Sequence, residues 1–491
     1  MPRFTQPLSN VFRWAGPAAW VLGLSACASV SPPVADAPVA APLAAVSAWQ
    51  APIPSSMSGT APDDALEPAR WWRVFNDDAL TALVERALET HTSVRSALAA
   101  LEQARAQRDL TAAATLPSVG ASASAQRAAA GSGSASSVFR AGLDASWEID
   151  VFGARRQGLA ASEAEVLSSA AQLGQARVTL AAEVALTYLE WRAQQQRLQV
   201  ARDNLALQEA SLQLTAWRVQ AGLASQIDLE QARTTVAQTR AGVAPLEAAV
   251  AQNRNALAVL VGLPPQAELG LPLVGSIPMA AATLAVGIPA DTLRQRPDIQ
   301  AAEARVLAAL ARAAQAEAAR YPSFSIGGSL DWRAPRLTDL FDTGALTRAL
   351  IASVSASLWD GGANQAQVRV QQAGVEQARL ALEAAMLQVF QEVEAALLAL
   401  QASQQRLAHL GDAAEAAIQA ETLARHRYAS GLVDYLVLLD AQRTRLTAEN
   451  ELATARATWS ADHVRLYKAL GGGWSRDTLN TDLEAIAHDP R

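Results

Sequence analysis

The chain has 491 residues and a net charge of −7, and it is 51% hydrophobic but only 5% aromatic, so most of its apolar side chains are small. An acidic balance, with positive charge carried almost wholly by scattered arginines, argues against a nucleic-acid surface. A single cysteine excludes an internal disulfide, a zinc ribbon and a second, catalytic thiol beyond the one at position 27.

The first segment reads as a secretory signal over residues 1–26. Arg3 and Arg13 form a basic start, Ala15 to Leu24 is a short apolar run, and small residues follow. That run is too short to span a bilayer as a helix. Leu24-Ser25-Ala26-Cys27 resembles the bacterial lipobox, which implies an acylated Cys27 as the first mature residue. The plain alternative is a buried cysteine closing an apolar segment. In that class an aspartate after the cysteine favours the inner membrane; Ala28 implies the outer one. Residues 27–65, rich in Pro, Ala and Ser, read as an extended leash. Beyond residue 26 no run approaches the roughly 18 apolar residues of a transmembrane helix.

The rest of the chain repeats itself. RVQAGLASQIDLEQAR (218–233) matches RYASGLVDYLVLLDAQR (427–443), and Gly222/Gly431, Gly262/Gly471 and Arg218/Arg427 all lie 209 residues apart. Val166, Leu173, Leu180, Val184, Trp191, Leu198, Leu205 and Leu212 recur every seven residues, with one step of four between 180 and 184. Val375, Leu382, Val389, Val393, Leu400 and Leu407 repeat both the spacing and the step. Seven-residue spacing is a coiled-coil seam, and an inserted four is a stutter that locally unwinds it. Upstream, HTSVRSALAALEQARAQRDLTAAATLPSV (91–119) aligns with RPDIQAAEARVLAALARAAQAEAARYPSF (296–324), each a helix stopped by X-Pro-Ser.

After each proline the period changes to two. Residues 118–126 and 138–150 alternate around the Gly/Ser loop RAAAGSGSASS; 324–332 and 350–359 flank a longer loop holding Pro335 and several acids. Such alternation suits a lipid-facing barrel strand, or a soluble half-buried hairpin. Attachment of four such strands to a lipoprotein's helices favours the barrel. Each copy therefore reads helix, strand, loop, strand, very long helix, turn, long helix. The helix expected from 155 to 221 would extend roughly 100 Å. Four strands cannot close a barrel wide enough to conduct, whereas three chains would supply twelve.

These residues carry a resemblance. WWRVFNDDALTALVERAL (71–88), IPADTLRQRPDIQAAEARV (288–306), YPS (321–323), SLWDGG (357–362) and the RYASGLVDYLVLLDAQR tip resemble the TolC-like outer-membrane efflux proteins, in their NodT-type lipoprotein branch, over about 65–474. The resemblance implies a mixed α and β trimeric channel-tunnel: a shared twelve-stranded outer-membrane barrel and a periplasmic α-barrel of long coiled-coil helices. It implies a first efflux repeat at 66–262, an equatorial connector at 263–295, a second repeat at 296–471 and a C-terminal tail at 472–491. Residues 66–90, the connector and the tail would form a small equatorial domain. Its one departure is Thr92 where the second copy has Pro297, so the two helix starts need not match.

A Gram-negative efflux duct follows from the resemblance, as a homotrimer embedded in outer-membrane lipid. It would conduct small molecules such as drugs from an inner-membrane pump through a periplasmic adaptor. No catalysis and no cofactor are expected: HExxH, GxxxxGK[ST], GxSxG and CxxC are all absent from the sequence. The five histidines have no ligand spacing, and most read as helix surface. A one-step protein-secretion duct shares the fold, and a structural coiled-coil lipoprotein would explain the leash and heptads but not the strands.

The helix-turn-helix tips centre on Gly222 and Gly431, where a left-handed residue would end one helix before the next begins. The family places its periplasmic gate in the second tip, and the matching positions are Tyr428, Asp434 and Asp440. Val433 stands where some members carry a latching arginine. Asp434 has a second reading as a helix N-cap, in register with Ser225, which with Asp228 resembles a capping box. Asp440, inside its helix, has a solvated face as its alternative. Arg218 and Arg427, four residues before the turn glycines, are the candidate adaptor-docking residues.

Overall fold

A computed structural model describes residues 49–51, 68–129, 131, 135–272, 275–280 and 295–474. Cys27 and most of the leash therefore lie outside the described residues, as do most of the tail and part of the connector. The described residues divide into two compact units, the first holding those within 107–163 and 307–376, the second those within 49–106, 164–306 and 377–474.

The helices are α1 (Asp78–Thr90), α2 (Thr92–Ala113), α3 (Ala154–Gln220), α4 (Gln226–Leu260), α5 (Pro297–Ala318), α6 (Ala363–Ala429) and α7 (Tyr435–Ala469). The strands are β1 (Ser118–Ala128), β2 (Ser136–Ile149), β3 (Ser323–Ala334) and β4 (Leu346–Ser355). The two copies match closely: α3 and α6 each have 67 residues, α4 and α7 each 35. All four end alike. Leu223 N–H bonds Arg218 O (2.7 Å) and Gly222 N–H bonds Val219 O (3.0 Å); the same pair of bonds closes the helices at Gly262, Gly431 and Gly471. This double bond needs the left-handed residue that Gly222 (φ 73°) and Gly431 (φ 75°) supply.

In the first unit the strands form one antiparallel sheet in the order β1-β2-β3-β4. Register places Leu143 between Ala121 and Leu330, and Trp147 beside Ile326, so one face is largely apolar, with Arg127 and Arg348 on it toward the loop ends of the strands. Ser122, Asp144 and Ser329 belong to the opposite, polar face. The fourth strand differs from its expected span of 350–359. It starts at Leu346 and ends at Ser355, because the ladder stops at Ser323↔Ser355. Pro322, just before, has no N–H to extend it, and Ala356–Trp359 leave the sheet, with Leu358 and Trp359 exposed. Asp360 then accepts N–H bonds from Gly362 (2.8 Å) and Asn364 (2.9 Å), holding the turn into α6.

In the second unit, Trp71, Trp72 and Phe75 from a short 3-10 segment (Pro68–Phe75) pack with Leu80 and Val84 of α1, Val184, Tyr188 and Trp191 of α3, and Tyr467 and Trp474. Asp77 caps α1 through Leu80 N–H (2.9 Å) and accepts the Tyr188 hydroxyl (2.9 Å). Arg192 donates to that hydroxyl (2.8 Å) and to Pro272 O (3.1 Å), while its guanidinium lies 4.7 Å from the Trp191 ring. Asp77 ahead of α1, α3 and Pro272 of the connector are thus tied by one polar chain.

The two copies differ at the helix starts. In the first, the His91 ring nitrogen accepts Ser93 N–H (3.2 Å) and caps α2. In the second, Pro297 occupies the first helical position and Arg296, 5% exposed, donates to Asp298 (2.6 Å), Glu392 (2.9 Å) and Ala469 O (2.6 Å). Burial would lower the Arg296 pKa, but the two carboxylates more than offset it and raise it. The RPD motif is therefore a clasp on the end of α7. His463 departs from the helix-surface reading of the histidines: it is buried, 4.2 Å from the Trp459 ring, and burial holds its pKa below the ordinary value.

Candidate functional site

The tips of the two helical hairpins are built from the same local sequence and finished differently. At the first, Ser225 caps α4 in a full capping box with Asp228 (3.1 and 3.0 Å). At the second, Asp434 occupies the N-cap position of α7, yet its side chain makes no cap bond. Both Asp434 and Asp440 are exposed, and among the described residues neither carboxylate has an ion-pair partner. The N-cap reading of Asp434 holds for its backbone alone.

Tyr428 is 2% exposed and packs against Tyr435 with ring centroids 5.7 Å apart. Its hydroxyl lies 3.0 Å from the fully buried Thr215 hydroxyl of α3. Arg218 stacks over its ring at 4.6 Å and donates to its carbonyl oxygen. Tyr428 therefore joins the hairpins and is no open-facing side chain. Burial first, then the neighbouring Tyr428, pushes the Tyr435 pKa up to about 12. The repeated arginines also part company. Arg218 is turned into this contact, while Arg427 is exposed and unpaired among the described residues. Outside the contact, Leu223 and Leu432 (74%) are exposed on the turns, and a groove of about 510 Å³ runs between α4 and α7 past Ile227, Leu436 and Arg443.

Sequence reasoning missed the seam leading to the tips. The heptad leucines Leu205 and Leu212 are only half-buried, and the buried stripe shifts to Asn204, Gln208, Ser211 and Thr215. Asn204 donates to Glu449 (2.9 Å) and Gln442 to Ser211 (2.8 Å), joining α3 to α7. The Gln208 and Gln442 side-chain oxygens have no hydrogen-bond partner. Glu421 of α6, wholly buried, is met by Arg445 (3.0 Å) and Arg425 (3.7 Å). The spacing of 204, 208, 211 and 215 was the available signal, since it is itself a heptad pattern written in polar residues. Among the described residues no group of three or more His, Cys, Asp or Glu could hold a metal ion.

Twin helical hairpins, each preceded in the chain by a pair of strands of one sheet with a largely apolar and a polar face, define an outer-membrane channel protein of the channel-tunnel class. The model of the family described as outer membrane efflux protein matches residues 83–263 and 288–472, and the chain belongs to that family. It is 32% identical over 469 residues to the pyoverdine export outer membrane protein OpmQ of Pseudomonas putida, covering 93% of this chain and 97% of that one. It is 31% identical to the outer membrane protein OprJ of Pseudomonas aeruginosa, covering 86% and 91%. Among solved structures it resembles the outer-membrane channel OprN (TM-score 0.80, 34% identity, 87% and 97% covered). It also resembles the open state of the Neisseria gonorrhoeae MtrE channel (TM-score 0.78, 28% identity, 88% and 98% covered). The protein is thus an outer-membrane efflux channel of trimeric channel-tunnel fold, with four strands per chain in a shared twelve-stranded barrel.

Proposed function

We propose that this chain is the duct of a tripartite efflux system, receiving small toxic molecules from an inner-membrane pump through a periplasmic adaptor. The observation that carries the reading is the polar seam between α3 of the first copy and α7 of the second, leading to the tips. Half-satisfied buried side chains hold the hairpins together only weakly, because water can satisfy the same groups once they part. Asp434 and Asp440, exposed on the second tip, are the gate carboxylates, and a ring of them at a three-fold axis would favour cations. Tyr428 acts as the latch behind them. Arg427 and the exposed turn leucines form the adaptor-docking end, with Arg218 holding it from behind. The segments 66–90 and 263–295, with the tail, make up the equatorial domain.

Cys27 carries the lipid anchor, and the leash that follows allows it to sit in the outer membrane. Labelled palmitate should enter the wild-type chain and not a Cys27→Ser variant. The functional reading is tested in cells lacking this channel and loaded with a fluorescent efflux substrate. Expression of the chain with its pump and adaptor should restore dye export. Unchanged dye retention, with the chain present in the outer membrane, would overturn it in favour of a structural lipoprotein.

A further inference from the structure

The polar face of the sheet sorts its charges by height. Toward the helices it carries Glu148 and Asp144 on β2 and Asp331 on β3; toward the loops that join β1 to β2 and β3 to β4 it carries Arg140 and Arg333. Each free carboxylate lies across a glycine of the preceding strand. A Cβ at Gly142 would sit 2.1 Å from Asp331 Oδ1, and one at Gly120 would sit 3.1 Å from Asp144 Oδ2. Those glycines leave room for the carboxylates, Asp331 one same-face step and Asp144 two steps from the arginines.

Arg140 and Arg333 are direct register partners. Like charges opposite one another on a sheet face repel, yet both are exposed and neither has an ion-pair partner among the described residues. Two exposed guanidinium groups on register partners bring several N–H donors to one place on the sheet face, the chemistry that oxyanions accept. The side chains point away from the face holding Phe139 and Trp332, so a lipid headgroup lies on the wrong side of the sheet.

We propose that Arg140 and Arg333 form an oxyanion-binding station on the lumen side of the barrel, near its outer mouth. It would take the carboxylate, phosphate or sulfonate group of a solute leaving the channel. This rests on the reading of the chain as a conducting duct. Three copies place a guanidinium tier outside a carboxylate tier, and the carboxylates oppose the return of an anion held there.

The test is planar-bilayer conductance of the purified trimer, with inorganic phosphate added on the barrel side. Phosphate should reduce the wild-type current, and Arg140→Gln with Arg333→Gln should weaken that block by roughly tenfold and move the reversal potential toward cations. Asp144→Asn with Asp331→Asn should strengthen the block and move the potential toward anions, which decides the matter if the arginine variant does not assemble. Identical block and reversal potential in both double variants and the wild type would overturn the station while leaving the duct intact. A wild-type trimer that passes no current under any condition would overturn the duct itself, and the station with it.

Discussion

The hydroxyls of Thr215 and Tyr428 lie 3.0 Å apart and tie α3 of the first copy to the end of α6 in the second, 213 residues later. Thr215 also donates to Ser211 O (2.8 Å), so Tyr428 is the partner that can be removed cleanly. Tyr428→Phe should cost about 1 kcal/mol of stability and raise the resting single-channel conductance if the tip is the gate. An unchanged conductance with lowered thermal stability would leave Tyr428 a packing residue.

The two N-caps make opposite predictions from equivalent positions. Ser225→Ala should destabilise by about 1 kcal/mol, since it breaks the capping box. Asp434→Ala should stay within about 0.5 kcal/mol, because that carboxylate caps nothing. Thermal unfolding of the detergent-solubilised trimer reads both. Asp434→Asn with Asp440→Asn should also reduce cation preference in the bilayer.

Glu421 offers a sharper stability test. Replacing Arg445 by leucine leaves a buried carboxylate with only Arg425, at 3.7 Å, to balance it. A loss of about 3 kcal/mol is expected, at the lower end for a broken buried pair because one arginine remains. Replacing Glu421 by glutamine in the same background should recover part of it.

Acid should act through His463. Burial lowers its folded pKa, so the unfolded chain binds the proton more readily, and stability falls as pH drops below the ordinary value of 6.5 toward the lower folded one. His463→Phe should flatten that portion of the stability-against-pH curve. An unchanged slope would place the acid sensitivity elsewhere.

Much of this was legible in the residues alone. Strict seven-residue spacing and its stutter predicted α3 and α6, and Val389 and Val393 across the stutter are both buried. The 209-residue offset predicted matching turns, because only glycine readily adopts the left-handed conformation that ends each helix. Period-two alternation predicted four strands, since side chains on a strand must point to opposite faces. What the sequence could not decide was pairing. The end of β4 depends on where β3 begins, which is a property of two strands together. Arg218 and Arg427 occupy equivalent positions in the repeat, and only packing across the two copies brings Tyr428 to Arg218 as its partner. Local pattern determines which face a residue lies on; what stands opposite that face is set by segments hundreds of residues away, and the tertiary structure alone brings them within reach.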